Sequence, residues 1–169
     1  MPNYCENRLT VTPNTQENLD KFLLALSAMK DKEHQFFDTF LPTPEEMLKG
    51  SGWFDWRISN WGTKWDACDM HCADDNVDKT PTQELYVSFE TAWSPPIQFY
   101  QHLESLGFTV YAQYFEPGAG FIGTYTDGEE SSYELSPESI KVQSVMDLLD
   151  EFGQLEDYQE QYAEDEENA

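Results

Sequence analysis

The clearest pattern in the chain is an alternation across 83–92, where Leu85, Val87 and Phe89 take one parity and Tyr86, Ser88 and Glu90 the other. That two-residue period is the mark of a strand with one dry and one wet face. Helical spacing occurs three times. Leu19, Phe22, Leu23 and Leu26 follow the β-prone run Leu9-Thr10-Val11-Thr12, and Pro13-Asn14-x-x-Glu17 between them has the form of a capping box. This predicts a strand and then a helix to about Met29. Ile97, Tyr100, Leu103 and Leu106 form a second stripe, with Ser94 as the cap, Pro95 in the first turn and Gly107 as the stop. Val142, Val145, Leu149 and Phe152 form a third, after Pro137 and before Gly153.

Two further strands are expected at Phe108 to Phe115 and Phe121 to Tyr125, paired across Glu116-Pro117-Gly118-Ala119-Gly120. Asp127-Gly128 marks another turn, ahead of a short strand at Ser132 to Leu135. Thr43-Pro44-Glu45-Glu46 starts a short helix over 44–49 that Gly50 ends, within a segment from about 34 to 80 that reads as an insertion. The order strand, helix, insertion, strand, helix, strand, strand predicts an α+β fold: a ferredoxin-like antiparallel sheet with helices packed on one face. It would occupy 1–152 as a single domain, with an acidic C-terminal helix or tail at 153–169. Residues 156–169 hold seven acids and no base, and like charges four apart weaken a helix, so fraying is expected there.

Charge changes the picture most. The chain has 33 acidic and 9 basic residues, a formal net charge of -24. Residues 1–79 carry 14 acids and 8 bases, whereas 80–169 carry 19 acids and Lys141 alone as a base. Such a field repels nucleic acid and anionic membranes and steers cationic partners inward. Apolar residues at 39% and aromatics at 15% still supply enough side chains for a core. No basic leader or membrane-length apolar run is evident, and the three cysteines, Cys5, Cys68 and Cys72, show no disulfide framework. A cytoplasmic protein with reduced thiols is the expectation.

Candidate chemistry is sparse. Gly118-Ala119-Gly120-Phe121-Ile122-Gly123 has the spacing of a dinucleotide loop, but a strand rather than a helix is expected after it, so a glycine-rich turn is the better reading. Cys68-Asp69-Met70-His71-Cys72 holds soft metal ligands, yet on a strand Cys68 and Cys72 would face one side and His71 the other. Buried reduced cysteines are preferred there. The histidines His34, His71 and His102 are scattered, leaving no nucleophile with a base in reach. No catalytic, cofactor or metal residue is therefore assigned, and a non-enzyme is expected. Trp53, Trp56, Trp61, Trp65 and Trp93, with Phe54, are expected mainly in the core or at a protein interface.

The segments Trp56-Arg57-Ile58-Ser59-Asn60-Trp61-Gly62-Thr63-Lys64-Trp65-Asp66-Ala67, Phe89-Glu90-Thr91-Ala92-Trp93-Ser94-Pro95-Pro96 and Glu116-Pro117-Gly118, with the opening Met1-Pro2-Asn3-Tyr4-Cys5-Glu6-Asn7, resemble the YubB-type ferredoxin-like domain family of plasmids and phages. The resemblance covers roughly residues 1–126. It implies the ferredoxin-like fold and a mobile-element origin, and it supplies no activity. Asn60, Trp61, Lys64, Trp65, Asp66 and Trp93 are thus motif positions of unassigned role.

Two functional expectations follow. One is a non-enzymatic inhibitor of a basic, nucleic-acid-binding host or defence protein, acting through carboxylates that imitate phosphates. Its partner-binding residues would be Asp127, Glu129, Glu130, Asp147, Asp150, Glu151, Glu156, Asp157 and Glu160. The other is an interaction module that uses the tryptophan-rich segment, with the acids serving solubility.

Overall fold

A computed structural model describes residues 3–31, 36–73 and 78–167. The chain begins with β1 (Tyr4–Thr12) and α1 (Gln16–Asp31), passes through three short helices, α2 (Phe36–Phe40), α3 (Glu45–Leu48) and α4 (Gly52–Trp61), and continues as β2 (Cys68–Cys72), β3 (Leu85–Ala92) and α5 (Ile97–Ser105). A meander of β4 (Thr109–Glu116), β5 (Phe121–Thr126) and β6 (Glu129–Glu134) follows, then a 3-10 turn at Ser139–Lys141, α6 (Gln143–Glu151) and α7 (Leu155–Glu167).

The six strands form one antiparallel sheet in the order β2-β3-β1-β4-β5-β6. Within it, β1-α1-β2 is a split βαβ unit with β3 between its strands, and β3-α5-β4 returns to the other side of β1. This is the ferredoxin-like arrangement expected from the sequence, extended at one edge by β5 and β6. The expected insertion is shorter than 34–80, because β2 inside it is one of the fold's own strands and only α2 to α4 and their loops are added. Its ends at 34, 35 and 74–77, His34 included, lie outside the described residues.

Parity along β1 builds the first core. Cys5, Asn7, Leu9 and Val11 are buried while Tyr4, Glu6 and Arg8 are exposed. The buried side meets α1, α2 and α5 in an aromatic cluster in which Phe36 and Phe37 contact Phe89 and Phe99, with ring centroids 4.3–6.2 Å apart. A second core lies on the other face. Phe115 and Ile122, paired across β4 and β5, point there and meet Val145, Leu148, Leu149 and Phe152. Helices therefore pack on both faces of the sheet, not on one alone. The reason is legible in β4, where Val110, Ala112, Tyr114, Phe115 and Glu116 are all buried, as a strand covered on both sides requires.

Local capping differs from the sequence reading in two places. Thr15, not Asn14, caps α1, its Oγ1 accepting the Asn18 N–H at 3.2 Å. Asn14 sits at φ 66° and its amide donates to the Gly107 carbonyl and Thr109 Oγ1, tying this turn to the one before β4. Ser94 does not cap α5; its hydroxyl donates to the Gly62 carbonyl at 2.7 Å instead. Asp127 and Gly128, both with positive φ, form the hairpin turn expected between β5 and β6.

Where fraying was expected beyond Gly153, α7 is a helix. Leu155, Tyr158 and Tyr162 pack against the second core, and the Tyr158 ring meets Phe115 edge-on at 6.1 Å. Apolar contact at three-to-four-residue spacing outweighs repulsion of a few tenths of a kcal/mol per like-charged pair.

Candidate functional site

The tryptophan-rich motif gathers where α4 ends against the turn between β3 and α5. Gly62 closes α4 in the left-handed region at φ 87°, donating its N–H to the Arg57 and Ile58 carbonyls. A Cβ there would also lie 3.1 Å from the Ile97 nitrogen and 3.3 Å from the Pro95 carbonyl oxygen, so glycine lets the two loops touch. Hydrogen bonds then knit them. Thr63 Oγ1 donates to the Ala92 carbonyl at 3.0 Å, Thr91 Oγ1 to the Ser94 carbonyl at 2.7 Å, and the buried Asn7 amide to Thr91 Oγ1 at 2.8 Å.

Within this frame the motif residues divide by role. Trp61 is fully buried, edge-on to Phe37, with its indole N–H on the Leu41 carbonyl at 3.0 Å. Asn60 donates to the Trp56 carbonyl inside α4. Asp66 is buried and accepts from the Phe37, Asp38 and Ala67 backbone N–H groups at 2.7–3.0 Å, so it caps α2 from a distant part of the chain. Burial pushes its carboxyl up to about 6 against the opposing pull of those three hydrogen bonds.

Trp65 and Trp93 are turned outward instead, 39% and 54% exposed, with Lys64 Nζ 4.2 Å from the Trp65 ring centre and 5.9 Å from that of Trp93. Trp93 has φ 72°, a conformation bulky side chains rarely adopt. Arg57 lies between Trp53 and Trp61, 5.4 and 4.7 Å from their ring centres, and donates to Thr43 Oγ1 and the Lys64 carbonyl. Loss of water lowers its basicity, an effect that Asp38 and Asp66 oppose.

Two hollows flank these side chains. One of about 580 Å³ lies among Tyr4, Asp38, Leu48, Arg57, Trp61 and Trp65. The other, about 410 Å³, is lined by Phe54, Ile58, Lys64, Ala92, Trp93 and Ser94.

The nine acidic residues singled out as partner-binding are all exposed. Asp147, Asp150 and Glu151 share one face of α6 at i, i+3, i+4 spacing, and Glu156, Asp157 and Glu160 lie on α7. Asp127, Glu129 and Glu130 occupy the β5–β6 hairpin, but Glu130 is turned to the opposite face of the sheet from Glu129 and accepts the Tyr114 hydroxyl at 2.6 Å. Glu151 meets the Gln113 amide, and its carbonyl accepts from Arg8 at 2.7 Å, placing a cation at the end of α6.

The glycine motif is a turn leading into β5, and its amides are taken: the Glu116 carboxylate accepts from Gly118 N and Ala119 N at 2.7 and 2.6 Å. In β2 the register slips between Cys68 and His71, with Asp69 at φ 47°. Cys68 stands opposite Glu90 and His71 opposite Ser88, whereas Cys72 stands opposite Val87, so the bulge puts Cys68 and His71 on one face and Cys72 on the other. This reverses the expected pairing. Nor are both thiols buried, since Cys68 is half-buried, with its thiol pushed up to about 11 mainly by burial, and Cys72 is exposed. Among the described residues, no cluster of three or more His, Cys, Asp or Glu is placed to hold a metal ion. No described helix is long and apolar enough to cross a membrane.

What the sequence did not reveal is the pairing of Lys64 and Trp65 with Trp93, which depends on contact between two separate loops. No periodicity or motif spacing in the sequence marks that contact.

No family model matches this chain, and no curated protein does. Its structure is similar to the crystal structure of protein api92 from Yersinia pseudotuberculosis, described as DUF1281. The match covers 81% of this chain and 100% of that one, at 12% identity and a TM-score of 0.48.

Proposed function

We propose that the chain is a non-enzymatic binding protein whose acidic face on α6 and α7 docks into the cationic groove of a nucleic-acid-binding protein. The observation that carries this reading is the seating of α7. Leu155, Tyr158 and Tyr162 anchor it to the second core, so Glu156, Asp157 and Glu160 are held exposed on the helix that follows α6. One row of carboxylates on a helix gives a charge about every 5.4 Å of axis, against about 3.4 Å along one DNA strand. A second row on the neighbouring helix would bring the spacing nearer to that of a strand.

Lys141 is the single base after residue 80, and it and Arg8, which donates to the Glu151 carbonyl, are the cations at the two ends of α6. The resemblance of residues 1–126 to the YubB-type family adds the setting: a phage or plasmid accessory protein acting in a bacterial cytoplasm against a host or defence protein. Capture from bacterial lysate on the immobilised chain, followed by elution with duplex DNA, tests the reading. Nucleic-acid-binding proteins released by DNA and by salt are expected, and D147K/D150K/E156K/E160K should lose them. Partners indifferent to DNA and to salt would contradict it.

A further inference from the structure

The outward tryptophans form a second surface, chemically unlike the rest of the molecule. Phe54, Ile58, Trp65 and Trp93 are each between 39% and 54% exposed, on a chain whose net charge is -24. Contiguous exposed apolar groups of this kind mark contact sites rather than inert surface. Among the described residues no carboxylate lines the hollow between Phe54, Ile58 and Trp93, and the charge there is Lys64. Lys64 itself has no carboxylate within 4 Å among the described residues.

The surface is also held in shape before anything binds. Thr63, Thr91 and Ser94 fasten the two loops to each other from behind, and the Trp93 N–H donates to the Asn3 carbonyl at 2.9 Å. That frame keeps Trp93 in an unfavourable left-handed backbone with about half of its surface exposed. Rigid aromatic groups presented in this way lose little freedom on binding.

We propose that this face is a docking site for a segment of a partner protein that presents a large apolar side chain beside a carboxylate. The apolar group fills the hollow between Phe54, Ile58 and Trp93, and the carboxylate meets Lys64 over the tryptophan rings. Charge complementarity selects this occupant. Lys64 is the charge lining the hollow itself, with Asp55 on α4 between Phe54 and Ile58, and physiological salt largely screens charges beyond about 8 Å. A second copy of the chain is a poor occupant, since a two-fold contact here would set Lys64 against Lys64.

The experiment titrates the full-length, 15N-labelled chain with Ac-Gly-Asp-Trp-Glu-Gly-NH2 and reads the indole N–H signals of Trp65 and Trp93. Saturable shifts are expected at those two signals, with at least about tenfold weaker binding for the lysine peptide Ac-Gly-Lys-Trp-Lys-Gly-NH2. Lys64→Met should lower the acidic peptide to the level of its glutamine analogue, and Trp93→Gly should abolish the shifts while leaving the fold intact. D147K/D150K/E156K/E160K should leave them unchanged, which separates this site from the acidic face. The proposal is overturned if no peptide saturates at millimolar concentration, if the lysine peptide is preferred at Trp65 and Trp93, or if the free chain sediments as a dimer that protects Trp93.

Discussion

Two residues show how the chain commits itself locally. A bulky side chain at left-handed φ costs about 1–2 kcal/mol, and Trp93 accepts that penalty while half its surface stays wet. Glycine would relieve the strain, so W93G is expected to change urea-unfolding stability by less than about 1 kcal/mol, although a tryptophan is removed. Asp66 is the opposite case, a motif residue whose work is internal. Asp66→Ala strands three backbone N–H groups and should cost about 2–4 kcal/mol, while Asp66→Asn, which keeps an acceptor, should cost less. Its weakened acidity has a definite sign. The folded chain holds the Asp66 proton up to about pH 6, whereas the unfolded value is 3.8. This stabilising contribution is full below pH 3.8 and is lost as pH rises through 6. Wild type should therefore gain more stability than Asp66→Asn between pH 7 and pH 5; equal gains would contradict the assignment.

At the scale of elements, the sequence displayed what periodicity can display. The alternation of Leu85, Val87 and Phe89 marked β3, and the apolar spacing from Leu19 to Leu26 marked α1, each close to its observed span. Three features were hidden for physical reasons. The bulge in β2 depends on Asp69 taking a left-handed conformation, which nothing in Cys-Asp-Met-His-Cys demands. Asp66 as the cap of α2 joins positions far apart in sequence, so no local motif could show it. Nor could composition reveal that Tyr158 and Tyr162 find apolar partners, and without those partners the acids of 156–167 argue for fraying. This assigns α7 its stability from packing. Tyr158→Ser should reduce amide-hydrogen protection across 155–164 while sparing α6, and global stability should fall by about 1–3 kcal/mol.

For the whole molecule, charge decides more than shape. A chain at -24 repels itself when folded, so raising NaCl from about 0.01 to about 0.3 M should increase the thermal midpoint by several degrees. The same charge is divided unevenly over the fold, with acids on α6, α7 and the β5–β6 hairpin and the Lys64–tryptophan surface at the end of α4. The two surfaces make opposite demands on a partner. Contacts at the acidic face weaken as salt rises, whereas those at the tryptophans depend mainly on apolar burial and one local charge. The measurement that bears most directly on the central claim is the dissociation constant of the DNA-eluted partner across about 50 to 300 mM NaCl, for wild type and for D147K/D150K/E156K/E160K. A steep loss of affinity with salt is expected for wild type, with a much shallower slope for the variant. Parallel slopes for the two proteins would contradict the account.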